Sequence, residues 1–331
     1  MDFRLDDEQV ALGDTIAAFC AARAPLERIA ERESAPDAAL WQGLAELGLF
    51  GLFVPESEGG SGATTVDAAV ALEHLGATLV PGPLVWSCIG APLAPGAIDG
   101  SVRVAGIVAG DTTGPVIVDH GNECDVVLIV RPDRVESCPT ANLTFSEAHA
   151  FDPLTSAATL EQLPTGAVVG DTAAASTLRR RGTALTAAQL VGLAQGALTV
   201  ARDYSLQRHQ FGVPIGSFQA IKHILADMYV RVELARNAAH AAAAILDDAR
   251  AGDADTAAST AKLLAGDAAV TNSRMAVQVL GGMGFTWEML PHYFLKRAWV
   301  LETNFGASDT HAVSLSRVLE SDVASSAAAW T

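Results

Sequence analysis

Arg208 to His223, RHQFGVPIGSFQAIKH, is the stretch from which the rest of the chain can be read, and Gln278 to Phe285, QVLGGMGF, completes it. Arg208 closes a long apolar helical run, FGVPIG interrupts it as a turn, and Phe218 opens a second helical run. A turn between two long helices, carrying an arginine with Gln210 and Gln219 close by, suits an anion. Guanidinium supplies a charged fork and the amides add directional bonds. In the second stretch Gln278 stands one turn before Gly281-Gly282, so its amide and a bare backbone can approach one ligand together. Taken singly, Arg208 serves equally well as a solvated helix-end arginine, Gln219 as a surface amide, GGMG as a helix stop, and Phe211 and Phe218 as core aromatics.

Composition narrows the setting. A chain of 331 residues with 50% hydrophobic content can bury a large core in two or three domains. Its formal net charge of -17 argues against nucleic acid or an anionic membrane as main partner, because both need a basic face. No stretch of about 18 apolar residues free of charges or turn signals stands out as a membrane span. The start, MDFRLDDEQ, lacks a basic end before an apolar core, so no secretory signal is read and a cytoplasmic location is expected. Cys20, Cys88, Cys124 and Cys138 have no metal-type spacing and read as buried thiols. His209, His223 and His292 likewise lack partners at metal spacing, and no metal is expected.

Residues 1–95 read as a helical domain. Asp6 with Gln9 forms a capping pair ahead of an apolar face of Leu12, Ile16 and Phe19, and Pro25 ends that helix. Asp37 is a candidate cap for a second helix that Gly48 stops, and Thr65 for a third. Residues 96–171 change character: SVRVAGIV, PVIV and DVVLIV are short β-rich runs that predict a small antiparallel sheet or barrel. Residues 172–331 return to helix. Leu185–Leu206 is apolar nearly all round. Ile221, Ile224, Leu225, Met228 and Val232 make a stripe. Helices over Asp255–Leu280, Glu288–Leu301 and Asp309–Leu319, the last capped by Ser308, complete an antiparallel four-helix bundle.

The two opening stretches, together with LGLFGLFVPESEGGSG near the N-terminus, resemble the acyl-CoA dehydrogenase family. That family's motifs are R-x-x-F-G-x-x-I-x-x-F-Q, then Q-x-x-G-G-x-G, and earlier G-x-x-x-P-E-x-x-G-G-x-G. The resemblance implies a mainly α fold with a central β-domain. It also implies that Arg208, Gln210, Phe211, Gln219, Gln278, Gly281 and Gly282 hold the ADP half of an FAD bound to a neighbouring subunit. The family's reaction is α,β-desaturation of an acyl-CoA thioester, with electron-transfer flavoprotein as acceptor. A glutamate takes the Cα proton while hydride leaves Cβ for the flavin.

The departures are as informative as the matches. Ungapped alignment to the family's late Y-E-G-T string puts Phe305 at the glutamate, and alignment to its other base position gives Gly182 and Thr183. The T-E-P-x-x-G-S-D loop and the tryptophan strand that hold the flavin ring have no counterpart, and the middle looks shortened. Glu302 is the nearest carboxylate and the candidate base, with a solvated helix residue as its plain alternative. Asp309 reads as a helix-start acid. Arg179-Arg180-Arg181 is either a solvated run or a contact for the phosphates of CoA. The resemblance then implies one subunit of a heteromer, of the actinobacterial kind that acts on CoA thioesters of steroid side chains and rings, with a paralogous subunit as partner. A self-sufficient enzyme using Glu302 and a flavin-free structural or regulatory paralogue are the rival expectations.

Overall fold

The computed structural model describes residues 4–32, 34, 36–110 and 114–328. The N-terminal helices are α1 (Asp7–Arg23), α2 (Ala38–Glu46), α3 (Thr65–Ala77) and α4 (Leu84–Gly90). Asp6 and Gln9 form the expected capping box of α1. Asp37 accepts the Leu40 N–H at the start of α2, and Gly48 follows that helix in a left-handed conformation. The cap of α3 is Thr64, one residue before the expected Thr65, because Thr64 and Asp67 close a second capping box. Thr65 instead donates its hydroxyl, 2.6 Å, and its N–H to Asp247, 182 residues further along the chain.

The middle holds β1 (Val104–Val108), β2 (Val116–Asp119), β3 (Val126–Val130), β4 (Val135–Pro139), β5 (Ser146–Ala148), β6 (Ala157–Leu160) and β7 (Ala167–Gly170). They form two sheets, in orders β1-β3-β4-β7 and β2-β6-β5. The expectation of an antiparallel sheet needs one correction. β1 and β3 pair in parallel, Val104 opposite Val126 and Val108 opposite Val130. The chain leaves the first sheet after β1, contributes β2 to the second, and returns in its original direction, which is the crossover a parallel pair requires. Residues 111–113 of that crossover lie outside the described residues.

The C-terminal helices are α5 (Thr172–Gln207), α6 (Gln219–Asp247), α7 (Ala254–Leu280), α8 (Pro291–Thr303) and α9 (Ser308–Ala328). A hairpin of β8 (His209–Gln210) and β9 (Val213–Pro214) separates α5 from α6. α5 begins well before the apolar run at Leu185, because Asp171 caps it at Ala174. It is long and apolar enough to cross a bilayer, but 83% of its apolar window is buried inside the protein, packed on α3, α6 and α7. α8 starts at Pro291 rather than Glu288, proline being suited to a first helical turn. Ser308 is the first residue of α9 rather than its cap.

One ion pair ties the three parts together. The Arg297 guanidinium of α8 is bonded to the Asp152 carboxylate from the β-domain, both almost fully buried. It also donates to Leu154 O at 2.7 Å and to Val80 O, after α3, at 3.3 Å. Breaking a buried pair of this kind by removing one partner costs about 3–5 kcal/mol.

Candidate functional site

The residues of the two opening stretches gather at one end of the helical domain. Gln210 and Val213 flank a two-residue hairpin turn in which Phe211 has φ 53° and Gly212 φ 84°. Two positive φ values in succession match the twist of a tight hairpin, a conformation glycine accepts and phenylalanine pays for. The ring so displayed is 92% exposed and meets only the edge of Phe218, 6.1 Å between centroids. Arg208, Gln210, Gln219, Gln278, Gly281 and Gly282 are all exposed as well. The Tyr204 hydroxyl, one turn before Arg208, lies 3.8 Å from Met283 Sδ, which brings the second stretch against the first. A side chain added at Gly281 or Gly282 would meet nothing within 4 Å, so their backbone is open to an approaching group. These donor types fit a pyrophosphate: one guanidinium, amides, and uncovered main chain.

Phe305 and Gly182, which ungapped alignment sets at the family's two positions for a base, come together in the fold. The Phe305 ring rests on Gly182 so closely that a Cβ there would sit 2.0 Å from the ring. On its other side Phe305 stacks on Trp86 of α4, 4.5 Å between centroids. Trp86 in turn covers Gly106 of β1, where a Cβ would lie 2.3 Å from the indole. Phe305 is a shared wall between a polar cleft of about 280 Å³ and an inner cavity of about 30 Å³. The inner cavity also has Gln189, Arg297 and Asp119 in its lining. The polar cleft is bordered by Ser176, Arg179, Arg180, Thr183 and His311.

The strained turn at Phe305, φ 57°, is fixed from behind. Lys262 of α7, fully buried, donates to Glu302 O at 2.6 Å and Gly306 O at 2.8 Å. Burial pushes its ammonium down to about 8, against the pull of the Glu302 carboxylate. His311 of α9 bridges Ser259 and the Phe305 carbonyl, 3.2 and 3.1 Å. Burial and the Lys262 charge hold its imidazole below the usual range. Glu302 is only partly buried, and its Oε1 accepts the Ser308 N–H at 2.6 Å, where it caps α9.

The arginine run splits three ways. Arg180 forms two bonds to Asp255, 2.6 and 2.7 Å, and Arg179 donates to the Arg131 and Pro132 carbonyls. Arg181 lies over the Phe53 ring at 4.2 Å. Sequence reasoning missed Asp119, at the end of β2. Its carboxyl reaches the inner cavity beside Phe305, and its only signal was an acid closing the run PVIV. Burial pushes that carboxyl up, while His120, an Asn304 hydrogen bond and Arg297 oppose the shift. The four cysteines are free and buried.

An N-terminal helical domain, a small β-domain and a C-terminal helical domain, in that order, make the acyl-CoA dehydrogenase fold. The chain belongs to the acyl-CoA dehydrogenase family: its N-terminal domain profile matches residues 6–98 and its C-terminal domain profile residues 172–319. Acyl-CoA dehydrogenase IpdE2 of Mycobacterium tuberculosis is 31% identical over 88% of this chain and 91% of its own length. Acyl-CoA dehydrogenase FadE34 of the same organism is 34% identical over 78% of this chain, which spans 39% of that longer protein. Among solved structures, butyryl-CoA dehydrogenase from Megasphaera elsdenii superposes with TM-score 0.81 at 21% identity, over 96% of this chain and 100% of the other. A chain of the ChsE4-ChsE5 complex from Mycobacterium tuberculosis gives 0.82 at 22% identity, over 97% and 99%. Family membership supports an oxidoreductase.

Proposed function

We propose that this chain is the non-catalytic subunit of a heteromeric acyl-CoA dehydrogenase, and that it completes the FAD site of a paralogous partner. The observation that carries this reading is the contrast between the two places just described. Phe305 packs on Gly182 where the aligned family motifs have a base, whereas the residues suited to a pyrophosphate stand exposed. Arg208, Gln210, Gln219 and Gln278 would hold the phosphates and adenosine of the partner's cofactor, with Phe211 packed on it and Gly281-Gly282 allowing close approach. FAD supplies the acceptor for the hydride that leaves Cβ of the acyl group. This chain's own part is to bind and orient the far end of that cofactor and to exclude water from it. The fold's likeness to a chain of the ChsE4-ChsE5 complex agrees with a heteromer. An acyl-CoA of steroid origin is the proposed substrate, electron-transfer flavoprotein the acceptor, and the cytoplasm the location. The division at 1–95, 96–171 and 172–331 is proposed with it.

The rival with Glu302 as base gains no support, because that carboxylate is engaged at the start of α9. Expression alone and with a neighbouring family member tests the proposal. The single chain is expected colourless, and the pair yellow with less than one FAD per chain, since cofactor and partner binding are linked. A stoichiometric flavin spectrum with acyl-CoA oxidation by the single chain would overturn it.

A further inference from the structure

The N-terminal helical domain contains a cavity of about 410 Å³, bounded by the end of α1, the short helical segment Leu26–Glu31, the start of α2 and the chain just after α3. Its apolar lining is Pro25, Pro36, Pro81 and Leu40, three rigid rings and one aliphatic side chain. Every other lining residue is charged: Arg23, Arg28, Arg32, Glu31 and Asp37. These charges do not cancel where they stand. Arg28 and Glu31 pair with each other at 2.6 Å, and Asp37 accepts the Leu40 N–H at 2.7 Å as the cap of α2. Arg23, in the last turn of α1, has no side-chain hydrogen bond or ion pair among the described residues.

Arg32 has no carboxylate partner among those residues either. It donates to Ala24 O and Pro25 O at 2.5 and 2.6 Å, and to Thr78 O and Leu79 O at 2.8 and 3.3 Å. It thereby closes the C-terminal ends of α1 and α3. A guanidinium carries five N–H groups, and these four bonds leave the one on Nε for a ligand. Burial pushes this guanidinium below its ordinary value and Arg297 adds to the shift, while Cys20 and Glu27 oppose it. In a chain of formal net charge -17, one cavity thus presents two guanidinium groups that no described carboxylate engages.

We propose that this cavity binds a small organic oxyanion, an apolar body carrying a phosphate or carboxylate group, with Arg23 and Arg32 as its charge partners and Leu40 and the prolines against its body. Guanidinium donors match the geometry of both oxyanions. Arg32 is already held by four carbonyls, so it gives up little further side-chain freedom on binding. A volume within the small-molecule range of about 300–1,000 Å³ fits an anion with a body rather than a bare ion. The cavity is built by this chain alone, so the proposal does not depend on the reading of the partner's flavin.

Calorimetric titration of the purified full chain at low salt tests it, with phenyl phosphate, benzoate and benzyl alcohol as probes. At least one anionic probe is expected to saturate a single site, and benzyl alcohol should bind about tenfold or more weakly, because it lacks the charged acceptor. Tighter binding of phenyl phosphate assigns a phosphate ester, and tighter binding of benzoate a carboxylic acid. Arg23→Gln should weaken the bound anion about tenfold. Arg317→Gln, an exposed arginine of α9 outside the cavity lining, should leave it unchanged. Glu31→Gln, which releases Arg28 and removes a negative charge, should tighten it several-fold. The proposal is overturned if neither anion binds, if benzyl alcohol binds as well as the anions, or if Arg23→Gln weakens binding no more than Arg317→Gln. Should Arg23→Gln fail to fold by circular dichroism, a folded Glu31→Gln protein that binds the anion no more tightly than wild type overturns it instead.

Discussion

The hairpin end of the helical domain and the passage at Phe305 have changed in opposite ways. At the hairpin, polar side chains and a phenylalanine at positive φ stand on the surface. At the passage, the Phe305 ring stands where the aligned family motif has its glutamate, and Trp86 stacks against it. A polar, open surface and a packed, aromatic interior are the contrast on which the proposed non-catalytic role rests.

The comparison breaks most visibly at Phe305. Phe305→Ala should cost about 3 kcal/mol or more in urea unfolding, the range for deleting a packed aromatic, and leave flavin retention by the heteromer unchanged. A loss of flavin together with that stability would erase the distinction between the two regions. Next in size is the pH response of Lys262. Its folded value of about 8 lies below the ordinary 10.5, so the unfolded chain binds more protons between those limits. The stability of wild type relative to Lys262→Met should therefore rise by roughly 2–3 kcal/mol as pH climbs from about 8 to about 10.5, at about 1.4 kcal/mol per unit. Thermal unfolding at pH 7.5 and 10 reads the sign, and a fall would refute the assignment.

Gly182→Ala should destabilise by about 1–3 kcal/mol through overpacking. Most of that penalty should vanish in a Phe305→Leu background, which a double-mutant cycle measures directly. The smallest stability effect belongs to Arg208→Ala, within about 0.5 kcal/mol of wild type. In the heteromer the same change should weaken flavin retention about tenfold, seen as loss of 450 nm absorbance on dilution. A stable complex that keeps its flavin after Arg208→Ala would favour the flavin-free paralogue.

The first two helices were legible because their signals are local: Asp6 with Gln9, Asp37, and Gly48 each act within one turn. The start of α5 was hidden because Arg179-Arg180-Arg181 interrupts the apolar pattern, although the three side chains leave the helix toward separate partners. β1, β2 and β3 were visible as runs, but the parallel pairing of β1 with β3 was not, since alternation carries no strand direction. The hairpin residues could be found by motif. Asp119 could not, because what makes it notable is the approach of Asn304 and Trp86 from distant parts of the chain.

Arg297 sets a limit on how far the middle of such a chain can be trimmed. Its guanidinium has no water to return to, and its partners Asp152 and Leu154 O come from the β-domain. A lineage may discard strands, loops and flavin contacts from that segment one by one. It cannot discard the acid at 152 without first replacing the arginine at 297, and neither change is tolerable alone. The pair works as a ratchet, so the β-domain stays joined to the helices on either side of it.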